Sequence, residues 1–279
     1  MNGSKSQPKI VAAIPCFNTE DSIGSVVSKA KKYVDRVIVV DDGSQDGTAE
    51  AARAAGALVI SHGKNLGKGT AMRIAVEGSS DADAIVFLDG DGAHDPQDIP
   101  RVITPILEGK TDLVIGSRAL RESKVSISPL ARRLSNNLAS FIISVIISFL
   151  LPLATLFKCP VKHIKITDCT SGFRAIKTET WQRLNLVSSG FQIETEMIYE
   201  AARNRLTITE APISCNWNSQ LSHLSILKDG LRTVKLLTGK LIGDINGRQK
   251  KNEGSYNPWY SPRNNKNVPD YKGAREKEI

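Results

Sequence analysis

Short apolar runs recur along the first half of the chain, each closed by polar or glycine-containing residues and followed by a stretch of helical character. The pattern predicts a first strand from Lys9 to Ile14, stopping at Pro15, then a helix from the capping residues Asn18, Thr19 and Asp21 through about Tyr33. Arg36 to Val40 reads as a second buried strand, followed by helix formers through Ala55 and a short strand from Ala57 to Ser61. The loop His62 to Gly69 opens a helix through Glu77, and Ala84 to Leu88 is the central strand. A helix from about Pro96 to Glu108 and a strand from Asp112 to Gly116 follow. Strands alternating with helices at this spacing predict a Rossmann-like α/β fold, a mostly parallel sheet with right-handed crossovers flanked by helices. Further on, the pattern predicts a helix from Gln192 through Arg203, a strand from Thr207 to Ile213 and a helix from Ile226 to Leu241, with Trp181 and Leu184 as packing residues.

One segment breaks the rhythm. From Leu138 to Phe157 there is no charged residue, a length that could span a bilayer. A single crossing would place the central strand on one side of the membrane and Ser171-Gly172-Phe173-Arg174 on the other. Ser140, Ser144 and Ser148 form a weakly polar stripe at helical spacing, and Pro152 should break or kink the helix. Two half-helices lying in one leaflet fit better, within an interfacial insert of about residues 129–158; the competing reading is a buried core helix. Arg132, Arg133, Lys158 and Lys162 suit contact with anionic headgroups. The helix from Ile226 carries an apolar stripe (Leu227, Leu231, Val234, Leu237, Leu241) beside Lys228, Arg232 and Lys235, which fits a membrane-surface helix or a half-buried one equally.

Composition narrows the partners. The 279 residues are 41% hydrophobic and 24% charged, as in a folded domain, with a formal net charge of +8. That charge implies an anionic partner. Aromatics make up only 5%, with no basic–aromatic interleaving, which argues against nucleic acid. Cys16, Cys159, Cys169 and Cys215 show no paired spacing and read as free thiols of a reducing compartment. The first nine residues lack an apolar signal core, and from Asn246 the composition suits a flexible tail, so the expected domain is residues 9–245, between flexible segments 1–8 and 246–279.

Chemistry gathers at the strand ends. Asp89-Gly90-Asp91 closes the central run; in extended backbone the two carboxylates would point the same way and could share one hard cation, with Gly90 leaving room for a ligand. The run alone leaves an Asp-Gly turn equally open. Asp41 and Asp42 follow the second strand, where they suit a nucleotide or a helix N-cap region. Gly63 to Thr70 is not a P-loop, because only three residues separate Gly63 from Gly67 and Gly69 stands where Ser or Thr is needed. No G-x-G-x-x-G follows the first strand, against a dehydrogenase-type dinucleotide site.

Pro15-Cys16-Phe17-Asn18, Val40 to Thr48, Asn65-Leu66-Gly67-Lys68-Gly69, Asp89-Gly90-Asp91, Gly116-Ser117-Arg118 and Asp168 to Arg174, in this order, resemble the inverting family 2 glycosyltransferases of the GT-A fold. Within them, the chain resembles the branch of dolichol-phosphate mannose synthase and polyprenyl-phosphate glycosyltransferases. The resemblance implies transfer of a sugar, GDP-mannose being the leading donor, to dolichyl or polyprenyl phosphate at the cytoplasmic face of a membrane. It implies Mg²⁺ or Mn²⁺ on Asp89 and Asp91, and a nucleotide sugar at Pro15, Phe17, Asn18, Asp41, Asp42, Lys68, Asp89, Gly90 and Asp91. The acceptor phosphate is implied at Arg118, Arg133, Ser135 and Arg174, with Asp91, Arg118 and Glu194 as the catalytic set. Gln192 and Glu194 are implied near sugar or acceptor, and Glu196 equally suits a first-turn carboxylate stabilising its helix.

Two positions depart from that pattern. Ala93 stands where the mannose synthase branch has a Gln completing the cation's shell, and the next residue is His94. Either water takes the vacant position or His94 reaches in; water, which suits a hard cation better than imidazole, is the expected replacement, with His94 then a loop-surface histidine. The basic loop expected to close over the donor is replaced by Asn216, Asn218 and Ser222-His223-Leu224, which leaves the donor open to UDP-glucose or UDP-N-acetylglucosamine, and the acceptor to a soluble one. From other classes, a nucleotidyltransferase should carry a Gly-rich basic loop after strand one, which Pro15 to Ser22 lacks; a catalytically silent sugar-nucleotide binder is the third option.

Overall fold

The strands are β1 (Ile10–Cys16), β2 (Arg36–Asp41), β3 (Leu58–Ser61), β4 (Ala84–Phe87), β5 (Leu113–Ser117), β6 (Arg174–Lys177) and β7 (Ile208–Pro212). They form one sheet in the order β3-β2-β1-β4-β6-β5-β7 in a computed structural model that describes residues 7–125, 130–151, 165–216 and 226–245. The helices are α1 (Glu20–Ala30), α2 (Thr48–Ala54), α3 (Lys68–Glu77), α4 (Ile99–Leu107), α5 (Leu130–Val145), α6 (Thr178–Trp181), α7 (Gln192–Arg203) and α8 (Ile226–Ile245).

The apolar runs are continuous because helices cover both faces of the sheet. Ala12 and Ile14 of β1 pack with Val26 and Val27 of α1 and Ile99 and Val102 of α4. Val11 and Ala13 point the other way, to Met72 and Ile74 of α3 and Ile193 and Met197 of α7. Trp181 and Leu184 join this second layer, as expected.

The sheet is mostly parallel, with one exception that periodicity did not reveal. β6 runs antiparallel between β4 and β5, pairing Phe87 with Arg174 and Ile115 with Arg174. Four residues are too few to display an alternation pattern. This strand carries the Ser171-Gly172-Phe173 turn back against the end of β4, which makes the site possible.

The uncharged segment is amphipathic in an inverted sense. The serine stripe faces inward: Ser140 Oγ accepts from Cys169 N at 3.0 Å, and Ser144 Oγ accepts from Ile166 N at 3.0 Å. Ile143, Ile147 and Leu151 are buried beside them. Leu134, Leu138, Phe141 and Phe149 project outward, with Phe141 66% exposed. After Val145 the helix widens into a π-helical turn, Ile146–Leu150; Pro152, Lys158 and Lys162 lie outside the described residues. Among the described residues, no helix is long and apolar enough to cross a membrane.

α8 is built the same way. Its inner face is polar: Lys240 Nζ lies 2.6 Å from Glu200 Oε1 and 3.1 Å from Glu196 Oε1, both carboxylates buried on α7. Tyr199 donates its hydroxyl to Asp244 at 2.6 Å, and Arg203 Nε meets the other oxygen of that carboxylate at 2.7 Å. Leu237 is buried, whereas Leu231, Val234, Ile242 and Ile245 face solvent.

Candidate active site

β4 ends at Phe87, two residues before the first carboxylate. Asp89 and Asp91 therefore lie in a turn containing Gly92 at φ +74°, not in extended backbone. The turn keeps the two carboxylates near enough to repel one another. A Cβ on Gly90 would lie 2.8 Å from Cys16 Cβ, so this glycine lets the turn press on β1. Asp91 Oδ1 accepts from Ala93 N at 2.9 Å. Burial, and then the Asp89 charge, push the Asp91 carboxyl above its ordinary range.

At the centre of the site stands Lys68, the first residue of α3. Its ammonium donates to Asp89 Oδ1 and, at 2.6 Å, to Glu194 Oε1 on α7. It also lies 5.5 Å from the centroid of the Phe191 ring. Burial alone would depress the Lys68 pKa, but the Asp89 and Glu194 charges outweigh it and keep the amine firmly protonated. Burial likewise works to raise Asp89, yet Lys68, His94 and Arg118 together hold it below the ordinary range. Glu194 stays raised, chiefly by burial. The glycines around Lys68 are there for close approach: a Cβ on Gly67 would lie 2.4 Å from Ser189 O, and on Gly69 2.2 Å from Ser188 O. Glu196 accepts from Val187 N and Ser188 N, fixing that opposing loop, which gives it a structural role.

Arg118, at the end of β5, is clasped by Asp168: Nε donates to Oδ2 at 2.6 Å and Nη2 to Oδ1 at 2.8 Å, while Nη2 also reaches Thr170 Oγ1 at 3.0 Å. This paired geometry fixes the guanidinium plane. Asp168 is fully buried; burial alone would raise its carboxyl, but the Arg118 charge and hydrogen bonds hold it below the ordinary range. Glu210 on β7 secures the same turn by accepting from Thr167 N and Asp168 N. Sequence reading passed over Asp168 and Glu210 as functional residues, and no local spacing signals either pairing. Gly172 leaves the space Asp89 occupies, since a Cβ there would lie 2.4 Å from Asp89 Oδ2.

Several side chains expected as ligands are engaged by the protein's own backbone. Arg174 is fully buried and donates to the carbonyls of Ser171, Glu194 and Cys169, so it cannot meet an acceptor phosphate. Asp42 is 3% exposed and spends both oxygens on Leu66 N and Gly67 N, with His62 Nδ1 at 3.3 Å. It organises the loop before α3 and does not cap α2, whose first residue, Thr48, donates its N–H to Asp46 Oδ1. Asp41 Oδ1 accepts from Ser44 N, and Asn18, at φ +52°, accepts from Gln45 N; both shape the loop at the strand end. Pro15 is buried within β1, and Phe17 is half-buried just past it. Arg133 and Ser135 lie on α5, but their side chains fall outside the described residues, as do Asn218 and His223. Asn216 N donates to Ala93 O at 2.7 Å, bringing the start of the expected closing loop beside the acidic turn.

The donor set suits a hard divalent cation. Asp89 and Asp91 are mutually repelling carboxylates, and Asp89 Oδ2 is left by Lys68, which holds Oδ1. Among the described residues no ready-made cluster of three His, Cys, Asp or Glu side chains is present. His94, expected at the surface, is instead 3% exposed, with Nδ1 3.7 Å from Asp89 Oδ2. Burial lowers its pKa to about 4, so the ring is neutral near pH 7.

A mostly parallel sheet with two acidic residues beyond its central strand, a charged lysine between carboxylates and a braced arginine is the architecture of an α/β protein whose polar side chains gather at the strand ends, where such sheets bind ligands. The model of Glycosyl transferase family 2 matches residues 11–183, and the chain belongs to that family. It is a glycosyltransferase. It is 34% identical over 199 residues to glycosyltransferase AglJ of Haloferax volcanii, covering 71% of this chain and 60% of that one. It is 29% identical over 226 residues to UDP-N-acetylglucosamine–dolichyl-phosphate N-acetylglucosaminyltransferase of Methanococcus voltae, covering 73% and 84%. Among solved structures, glucosyl-3-phosphoglycerate synthase of Mycobacterium tuberculosis in complex with Mg²⁺ and UDP superposes with a TM-score of 0.61 at 21% identity, covering 86% and 80%. That likeness establishes the GT-A-like fold.

Proposed function

We propose that this enzyme transfers one sugar, with inversion, from a nucleotide-diphosphate sugar, GDP-mannose in the first instance, to a dolichyl or polyprenyl phosphate at the cytoplasmic face of a membrane. The observation that carries the reading is that Lys68, at the start of α3, and Arg118, just past β5, both bear electrostatically on Asp89 and Asp91 just past β4, Lys68 by direct contact with Asp89. Asp89 and Asp91 would hold Mg²⁺ or Mn²⁺, which when bound screens the charge of a diphosphate. Lys68, kept charged by its two carboxylates, is placed to stabilise a departing diphosphate, and Asp41 shapes the loop that receives the nucleoside. Arg118 is braced in advance by Asp168, so its charge meets an anion with little reorganisation.

An acceptor phosphate monoester is already largely ionised near neutral pH, since its second pKa lies at about 6. The reaction then depends on orientation and charge screening more than on a strong base. Glu194 accordingly serves as the second anchor of Lys68. The outward apolar rows of α5 (Leu134, Leu138, Phe141, Phe149) and α8 (Leu231, Val234, Ile242, Ile245) fit a lipid surface. Arg133 and Ser135, on the same helix α5, are the proposed additional contacts to the acceptor phosphate.

The Methanococcus relative favours a second reading, UDP-N-acetylglucosamine as donor. The test incubates the protein with labelled GDP-mannose, UDP-glucose and UDP-N-acetylglucosamine, polyprenyl phosphate in detergent, and Mn²⁺ or Mg²⁺. Label extracted with lipid from one donor supports the reading and names the sugar. Donor binding without lipid-linked label, or transfer insensitive to chelator, overturns it.

A further inference from the structure

We propose that His94 is a direct ligand, through an imidazole nitrogen, of the divalent cation assigned above to Asp89 and Asp91; the inference rests on that assignment. Ala93 has no donor atom to offer, and His94 is the next side chain along the turn.

Three observations carry it. His94 is 3% exposed, yet neither ring nitrogen has a hydrogen-bond partner among the described residues. Polar atoms buried without partners are disfavoured, and a histidine serving only as packing would be better replaced by an apolar ring. Next, Nδ1 lies 3.7 Å from Asp89 Oδ2, the oxygen that Lys68 does not take. With cation–donor bonds of about 2.1 Å, two ligands stand about 3 Å apart when adjacent and about 4.2 Å apart when opposed, so one cation can bridge this separation. Finally, the turn is pinned from behind. His94 pairs with Cys215, Asn216 N donates to Ala93 O at 2.7 Å, and Ser214 N donates to Asp98 Oδ2 at 2.6 Å. Phe173 lies against the ring at 5.8 Å between centroids and helps hold its orientation.

The consequence is metal preference. A nitrogen donor among oxygens raises affinity for Mn²⁺ relative to Mg²⁺, which an all-oxygen shell would not do as strongly. Because imidazole is uncharged as a ligand, it adds no third negative charge to a place already holding two carboxylates.

The test uses Mn²⁺ alone with the full chain carrying ¹⁵N-labelled histidine. Pulsed electron paramagnetic resonance should detect a directly bonded histidine nitrogen in the wild type, and His94→Gln should lose it with an unchanged melting profile. In titrations His94→Gln should weaken Mn²⁺ about tenfold or more while changing competition by Mg²⁺ less than about threefold. Tight Mn²⁺ binding without a nitrogen signal in the wild type, or a signal that persists in His94→Gln, overturns the proposal while leaving the acidic pair intact. If Asp91→Asn leaves Mn²⁺ binding unchanged, the assignment of the cation to the acidic pair fails and the proposal with it.

Discussion

Lys68 Nζ lies 2.6 Å from Glu194 Oε1, joining the first turn of α3 to the first turn of α7. The same amine holds Asp89, so one positive charge neutralises two carboxylates from different parts of the fold. Replacing Lys68 by Met leaves both carboxylates without their counter-charge in a largely buried place. We expect about 3 kcal/mol of destabilisation in a urea titration, together with loss of sugar transfer. A stability change within about 0.5 kcal/mol would show that water satisfies these carboxylates without the amine.

Asp168 predicts acid sensitivity. In the folded chain it binds a proton less readily than an unfolded Asp, whose pKa is about 3.9. Its contribution is therefore present above that value, and is lost as pH falls through it toward the folded-state pKa, because the unfolded chain binds the extra proton. Unfolding followed between pH 7 and 3 should show the wild type losing more stability than Asp168→Asn, which should also release Arg118 and lower transfer. Parallel stability curves for the two proteins would contradict this.

Gly172→Ala separates position from stability. The added methyl would lie 2.4 Å from Asp89 Oδ2 and must push that carboxylate aside. A shift of about 1 Å at a reacting centre can cost about 10²-fold in rate, and that is the loss expected in transfer assays. A variant of near wild-type activity would mean that Asp89 need not hold its place.

The outward rows of α5 and α8 predict lipid binding that is independent of folding. Phe141 and Leu231 are 66% and 73% exposed. Phe141→Glu with Leu231→Glu should abolish co-sedimentation with vesicles containing anionic lipid and leave the unfolding free energy within about 0.5 kcal/mol per site. Undiminished vesicle binding would place the membrane contact elsewhere.

The strands and the acidic turn were legible because burial on two faces writes itself as uninterrupted apolar runs, and because the ordered motifs carry a family likeness. Roles of single polar residues were less legible. Asp42 and Arg174 look like ligands in one dimension, but only the fold reveals which backbone groups have consumed them. The same is true of Gly90, whose missing side chain faces Cys16. Lys68 and Glu194 stand 126 residues apart, a separation over which no periodicity speaks. The serine stripe was visible, but its direction was not, since a stripe does not say which side is in.

Lys240 and Asp244 fasten α8 by its charged side together with the buried Leu237, which leaves Leu231, Val234, Ile242 and Ile245 free of any duty in holding the fold. On the proposed membrane role, exchanging one of these outward hydrophobes for another or for a polar residue would retune bilayer affinity without disturbing the catalytic apparatus.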